Sequence, residues 1–157
     1  MPAKQVILAI DDDTVILNTV ISILKRLYSV RPFTSGETAL RYLETNTADL
    51  ILLDHRMPGM TGLEVLEKLQ ASPATKEIPT IFLTGSIHDE SEVHALEMGA
   101  MDYIQKPVQP QVLLTRVRLQ LELQGHRRHL EALVEEKTQS LNEAYNKMRI
   151  LEDITLN

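Results

Sequence analysis

Two patterns of apolar residues alternate along the chain. Unbroken runs, Val6 to Ile10, Leu50 to Leu53 and Ile81 to Leu83, are separated by stretches in which apolar positions recur every three or four residues. An unbroken run bounded by turn residues predicts a strand buried on both faces, and the longer spacing predicts an amphipathic helix. The sharpest boundary is at Asp54, where the Leu50 to Leu53 run meets an acid and then a loop holding Pro58, Gly59 and Gly62. That places Asp54 at a strand's carboxyl end, where ligands bind in open α/β sheets, although an aspartate there can also do no more than cap the next turn.

In chain order, Val6 to Ile10 runs into Asp11-Asp12-Asp13, and Val15, Ile16, Thr19, Val20, Ile23, Leu24 and Leu27 then predict a helix started by Asp13 or Thr14. Tyr28 to Phe33 predicts a weaker strand at a sheet edge, because Arg31 and Pro32 interrupt it. Thr34 or Ser35, with Glu37 following, starts a second helix that runs to about Asn46. Leu63, Val65, Leu66 and Leu69 make a third, stopped near Ser72-Pro73. After the strand that ends in Thr84-Gly85, a helix is expected from about Asp89 to Met98, closed by Gly99. Met101 to Gln105 is a short last strand ending at Lys106-Pro107, and Leu113, Leu114, Val117 and Leu121 give a further helix. This alternation predicts a doubly wound α/β fold, a five-stranded parallel sheet of flavodoxin-like order 2-1-3-4-5 with helices on both faces.

The length, 157 residues, exceeds what such a domain needs. The expected division is a globular domain over residues 4–124 and a helical extension over 125–157. A net charge of −6 provides no basic field to hold nucleic acid, so no direct nucleic-acid contact is expected. Cysteine is absent, no apolar run approaches the length of a membrane span, and the N-terminus lacks the regions of a signal peptide. A cytoplasmic protein with no membrane association is the expectation.

The polar residues at the strand ends make this architecture specific. The first strand ends at Asp11 and Asp12, the third at Asp54, the fourth at Thr84 and the fifth at Lys106. Carboxylates gathered there repel by about 1 kcal/mol per pair in water and about 4 at an effective dielectric of 20, a cost that a divalent cation removes. Oxygen ligands without histidine or cysteine select Mg²⁺ or a similar hard ion. With the ammonium of Lys106 and the hydroxyl of Thr84, the set suits phosphoryl transfer to a carboxylate.

The motifs Ala-Ile-Asp-Asp-Asp, Leu-Leu-Asp-His-Arg-Met-Pro-Gly-Met-Thr-Gly, Phe-Leu-Thr-Gly and Gly-Ala-Met-Asp-Tyr-Ile-Gln-Lys-Pro stand in this order, each at a strand end. Over about residues 4 to 124 the chain resembles the receiver domains of two-component response regulators. The resemblance implies that Asp54 is the phosphoacceptor, and that Asp11, Asp12, Asp54 and the backbone carbonyl of Arg56 hold Mg²⁺. It implies that Lys106 pairs with the phosphoryl oxygens, that Thr84 and Tyr103 form a switch pair, and that the Lys106-Pro107 bond is cis. A histidine kinase or phosphotransfer protein is the implied partner, and the domain catalyses its own phosphorylation and dephosphorylation. Gly85 departs from the alanine or serine usual after the threonine. His55 and Arg56 are read as modulators of dephosphorylation, with a solvated loop pair as the bland alternative for His55. Asp13 is read as a helix cap, and Tyr103 could also be an ordinary strand aromatic.

Residues 7 to 15 also resemble the first motif of haloacid-dehalogenase-type phosphatases, in which Asp11 would be the nucleophile and Asp13 the acid–base, with Thr84 and Lys106 as later motifs. That reading leaves Asp54 unexplained and lacks a further acidic motif after the lysine. A receiver-like adaptor without chemistry is a third reading, disfavoured because every chemical residue is present.

After a junction expected at Gln124 to Arg128, Leu130, Val134, Lys137, Leu141, Ala144, Met148, Leu151 and Thr155 follow alternating four- and three-residue steps, a heptad seam. The basic cluster His126 to His129 reads as a solvated face. The seam predicts a parallel homodimer through residues 126–156, with Lys147 and Glu152 at paired flanking positions. The tail resembles linkers that precede HD-GYP cyclic-di-GMP phosphodiesterase, histidine kinase and diguanylate cyclase domains. That implies an output domain beyond Asn157.

Overall fold

The computed structural model describes residues 3–85, 100 and 102–156, with side chains through 151. Strands β1 (Val6–Ile10), β2 (Ser29–Phe33), β3 (Leu50–Asp54), β4 (Thr80–Thr84) and β5 (Asp102–Gln105) form a parallel sheet in the order β2-β1-β3-β4-β5. Between them stand α1 (Thr14–Leu24), α2 (Gly36–Leu43) and α3 (Gly62–Ala71), and α4 (Pro110–Leu156) follows β5. The helix expected over Asp89 to Met98 lies outside the described residues.

The apolar runs are continuous because successive strand residues feed opposite layers. Leu8, Ile10, Ile51, Leu53 and Phe82 face one core with Val65, Leu66 and Leu69 of α3. Ile7, Ala9, Leu50, Leu52, Ile81 and Leu83 face the other with Leu17, Val20 and Leu24 of α1 and with Leu113 and Val117 of α4. Each fully buried leucine or isoleucine is worth about 1.5–3 kcal/mol, so the sheet is held to the helices on both of its faces. As expected, β2 is an edge strand and keeps Pro32 there.

Capping places the helix starts. Asp13 accepts from Val15 N at 2.9 Å, Ser35 from Thr38 N at 3.3 Å, and Thr61 from Glu64 N at 3.3 Å. Two expectations change here. Helix α1 stops at Leu24, and Leu27 lies beyond it, exposed, while Leu27 N and Tyr28 N both donate to Leu24 O. Val15 is also exposed; Leu17 takes the buried place on α1. Helix α2 ends at Leu43, where Glu44 N turns back to Arg41 O, short of Asn46.

By compactness the chain divides into Met1–Leu121 and Glu122–Asn157. Helix α4 runs through Gly125, within the junction expected at Gln124 to Arg128. Glycine costs a helix about 1 kcal/mol against alanine, which neighbouring helix formers offset. Within the second unit, Leu130, Val134, Leu141, Met148 and Leu151 are exposed. Among the described residues no helix is long and apolar enough to cross a membrane.

Candidate functional site

Strand register builds the site. Ile10 stands opposite Leu53, so the next residue, Asp11, lies beside Asp54; Asp54 pairs with Leu83, so Thr84 is one step beyond it. Thr84 pairs with Gln105, Lys106 N donates to Thr84 O at 2.7 Å, and the Lys106 side chain reaches Asp54 of β3. The Lys106–Pro107 bond is cis. A cavity of about 430 Å³ is lined by Asp11, Asp12, Asp13, Asp54, His55, Arg56, Thr84, Gly85 and Lys106. Every residue expected at the chemical centre is in that list. Tyr103 is not, and lines a neighbouring cavity beside β5.

Two carboxylates share one ammonium. Lys106 Nζ donates to Asp54 Oδ1 at 3.0 Å and lies 3.1 Å from Asp11 Oδ2. The second approach lacks hydrogen-bond alignment, so Asp11 Oδ2 is buried without a donor. Its other oxygen accepts from Asp13 N at 2.9 Å. Burial, with the charge of Asp11 added, pushes the Asp54 carboxyl up to about 7, against the pull of the Lys106 hydrogen bond. For Lys106, burial lowers the pKa, but the Asp54 hydrogen bond and the charges of Asp54 and Asp11 outweigh it and hold the ammonium above its ordinary value.

This arrangement fits a hard divalent cation. One oxygen from each of Asp11, Asp12 and Asp54 can lie within 4.8 Å of the others, Asp12 is exposed, and the orphaned Asp11 oxygen has a lone pair to give. Net negative charge in a partly buried pocket is the reason such a site wants a cation.

The β3–α3 loop packs its backbone closely against the end of β3. Gly62 N donates to His55 O at 3.0 Å, and a Cβ on Gly62 would run into Asp54 O, His55 Cα and Phe82. Gly59, at φ 77°, supplies the left-handed turn. Met57 in the same loop is buried, a loop residue with no periodic signal in the sequence. His55 corrects one expectation: it is no solvated loop residue. Its ring lies tilted against Phe82, centroids 5.9 Å apart, with both nitrogens buried and without a hydrogen-bond partner among the described residues. Asp13 acts as the α1 cap, which engages the carboxylate that the dehalogenase reading needs as acid–base.

Sequence reasoning missed Asp102 and Arg116. Arg116 Nη1 donates to Asp102 Oδ1 at 2.7 Å, and its guanidinium carbon stands 6.0 Å from the Tyr103 ring centre. Only the juxtaposition of β5 and α4 reveals the group.

The description "Response regulator receiver domain" matches residues 7–118. A probable cyclic di-GMP phosphodiesterase of Vibrio cholerae serotype O1 is 41% identical over 99 residues, 63% of this chain and 22% of that protein. The response regulator PleD of Caulobacter vibrioides is 38% identical over 91 residues, 58% of this chain and 20% of its own length. The chain thus spans about a fifth of these two relatives. A CheY-like receiver domain protein from Methanospirillum hungatei JF-1 superposes with a TM-score of 0.74 at 33% identity, covering 80% of this chain and 99% of that one. These similarities give the dehalogenase alternative no support. The sheet order, the acids at the ends of β1 and β3 and the lysine after β5 therefore have one common explanation: the chain belongs to the response regulator receiver family of two-component systems.

Proposed function

We propose that Asp54 is the phosphoacceptor of this receiver. The observation that carries the reading is a buried carboxylate at the end of the central strand, hydrogen-bonded to Lys106 and flanked by Asp11 and Asp12. Ionised, an Asp54 oxygen attacks the phosphorus of a phosphohistidine on a kinase or phosphotransfer protein; the new O–P bond forms as the P–N bond breaks and its electrons return to the donor imidazole. Asp11, Asp12, Asp54 and the Arg56 carbonyl would hold Mg²⁺, whose charge balances the carboxylates and the phosphoryl oxygens. Lys106 exchanges its bond to Asp54 for a phosphoryl oxygen. The Thr84 hydroxyl then moves toward the phosphoryl group, and the Tyr103 ring turns inward to fill the space it leaves.

The receiver occupies residues 4–124 in this reading, and 125–157 form a parallel two-stranded coil that carries the change to an output domain. Support for the coil comes from the exposed Leu130, Val134, Leu141 and Met148 at heptad spacing. The inferred output is cyclic-di-GMP phosphodiesterase activity, a reading supported by the Vibrio cholerae relative. A cytoplasmic location fits a partner kinase that uses ATP. The test is incubation with a labelled phosphodonor and Mg²⁺: wild type takes up base-labile label, Asp54→Asn takes up none, and Asp11→Asn takes up less at limiting Mg²⁺. Undiminished uptake in Asp54→Asn sinks the assignment.

A further inference from the structure

Asp102 and Arg116 have no part in the phosphoryl chemistry, yet they are joined to Tyr103 more closely than a surface ion pair requires. One oxygen, Asp102 Oδ1, accepts from Tyr103 N at 2.8 Å and from Arg116 Nη1 at 2.7 Å. The guanidinium so anchored stands 6.0 Å from the centre of the Tyr103 ring, the range in which a cation is attracted to an aromatic face. A cavity of about 430 Å³, bounded by Tyr103, Lys106, Val112 and Arg116 among others, opens beside the ring. The ring is half-buried, packed at the edge of the core that holds Phe82, and also lines this cavity, where among the described residues Arg116 and Lys106 are the charged neighbours.

We propose that Arg116 is a positioning residue: held by Asp102, it keeps the Tyr103 ring on the outer side of β5 and so opposes its inward turn. This rests on reading Thr84 and Tyr103 as the switch pair. An isolated exposed ion pair contributes little. Here the carboxylate also binds the backbone of the residue whose ring the cation faces, so carboxylate, guanidinium and ring close a loop within three side chains. Breaking the loop removes one cation–ring contact from the outward state alone. The inward population then rises about two- to five-fold. If phosphoryl transfer draws on the inward state, its rate rises by the same factor, because the fraction of competent molecules has grown.

The full chain labelled with 3-fluorotyrosine tests this, since its four tyrosines give few resonances and Tyr103→Phe assigns the one that matters. Beryllofluoride with Mg²⁺ marks the inward position in the wild type. In Arg116→Met, without any phosphoryl analogue, the Tyr103 resonance moves toward that position and phosphorylation by acetyl phosphate accelerates about two- to five-fold; Arg116→Lys, which keeps the cation, moves it less. Asp102→Asn, which frees the guanidinium without removing it, shifts the resonance the same way and covers the case in which Arg116→Met folds poorly. A Tyr103 resonance unchanged in both Arg116→Met and Asp102→Asn overturns the proposal. If beryllofluoride fails to move it in a wild type that still phosphorylates, the switch reading itself is wrong.

Discussion

Replacing Asp54 by asparagine should make the domain more stable at neutral and alkaline pH, although it removes a hydrogen bond to Lys106. Asp54 is 4% exposed, and its carboxyl is pushed up from 3.8 to about 7. The folded state therefore holds a proton that the unfolded chain has lost between those values, and stability falls as pH rises through that window. At about 1.4 kcal/mol per unit the ionised carboxylate costs the fold about 4 kcal/mol at pH 8 at most, and roughly 2–4 is a working range for a group coupled to Asp11. Lys106 adds nothing to this slope, because its raised pKa keeps its contribution constant until pH passes its unfolded value of 10.5. Asparagine is isosteric and uncharged, so Asp54→Asn should gain about 2–4 kcal/mol at pH 8, shrinking toward zero near pH 4. Urea denaturation followed by circular dichroism, from pH 5 to 8 in the presence of a chelator, measures both. An Asp54→Asn protein no more stable than wild type at pH 8, or a gain that grows toward acid, would mean that the ionised Asp54 carboxylate does not cost the fold stability.

Other outcomes follow from the same geometry. Asp11→Asn should weaken Mg²⁺ binding by about tenfold or more, read by calorimetry, because it replaces an anionic oxygen that has no hydrogen-bond donor. Gly62→Ala should cost about 1–3 kcal/mol, since its Cβ meets backbone at Asp54 and His55, whereas Gly85→Ala, with nothing within 4 Å among the described residues, should change stability by less than about 0.5; thermal unfolding compares them. Leu141→Lys should abolish dimers that the wild type forms at tens of micromolar in light scattering, and monomeric wild type at that concentration removes the coil from the account.

Much of this was legible in the sequence, for identifiable reasons. β3 and Asp54 could be read because a strand buried on both faces leaves an apolar run that only a charged residue can end so abruptly. Ser35 and Asp13 could be read as caps because their hydrogen bonds span two or three residues. Leu17 was hidden because Val15 and Ile16 give an equally good helical stripe, and only the sheet decides which side faces inward. The burial of His55 depends on Phe82, a neighbour from another strand. Arg116 and Asp102 were invisible for the same reason: their pairing is made by α4 packing against β5, and neither has a local signature.

Chemical trapping identifies the residue on which the phosphoryl group arrives. The full chain is phosphorylated by acetyl phosphate with Mg²⁺, the acyl phosphate is reduced with borohydride, and peptides are sequenced by mass spectrometry. Homoserine is expected in place of Asp54, with Asp11, Asp12 and Asp13 unmodified. Homoserine at Asp11, or at no position while intact protein carries the phosphoryl mass, would contradict the Asp54 assignment.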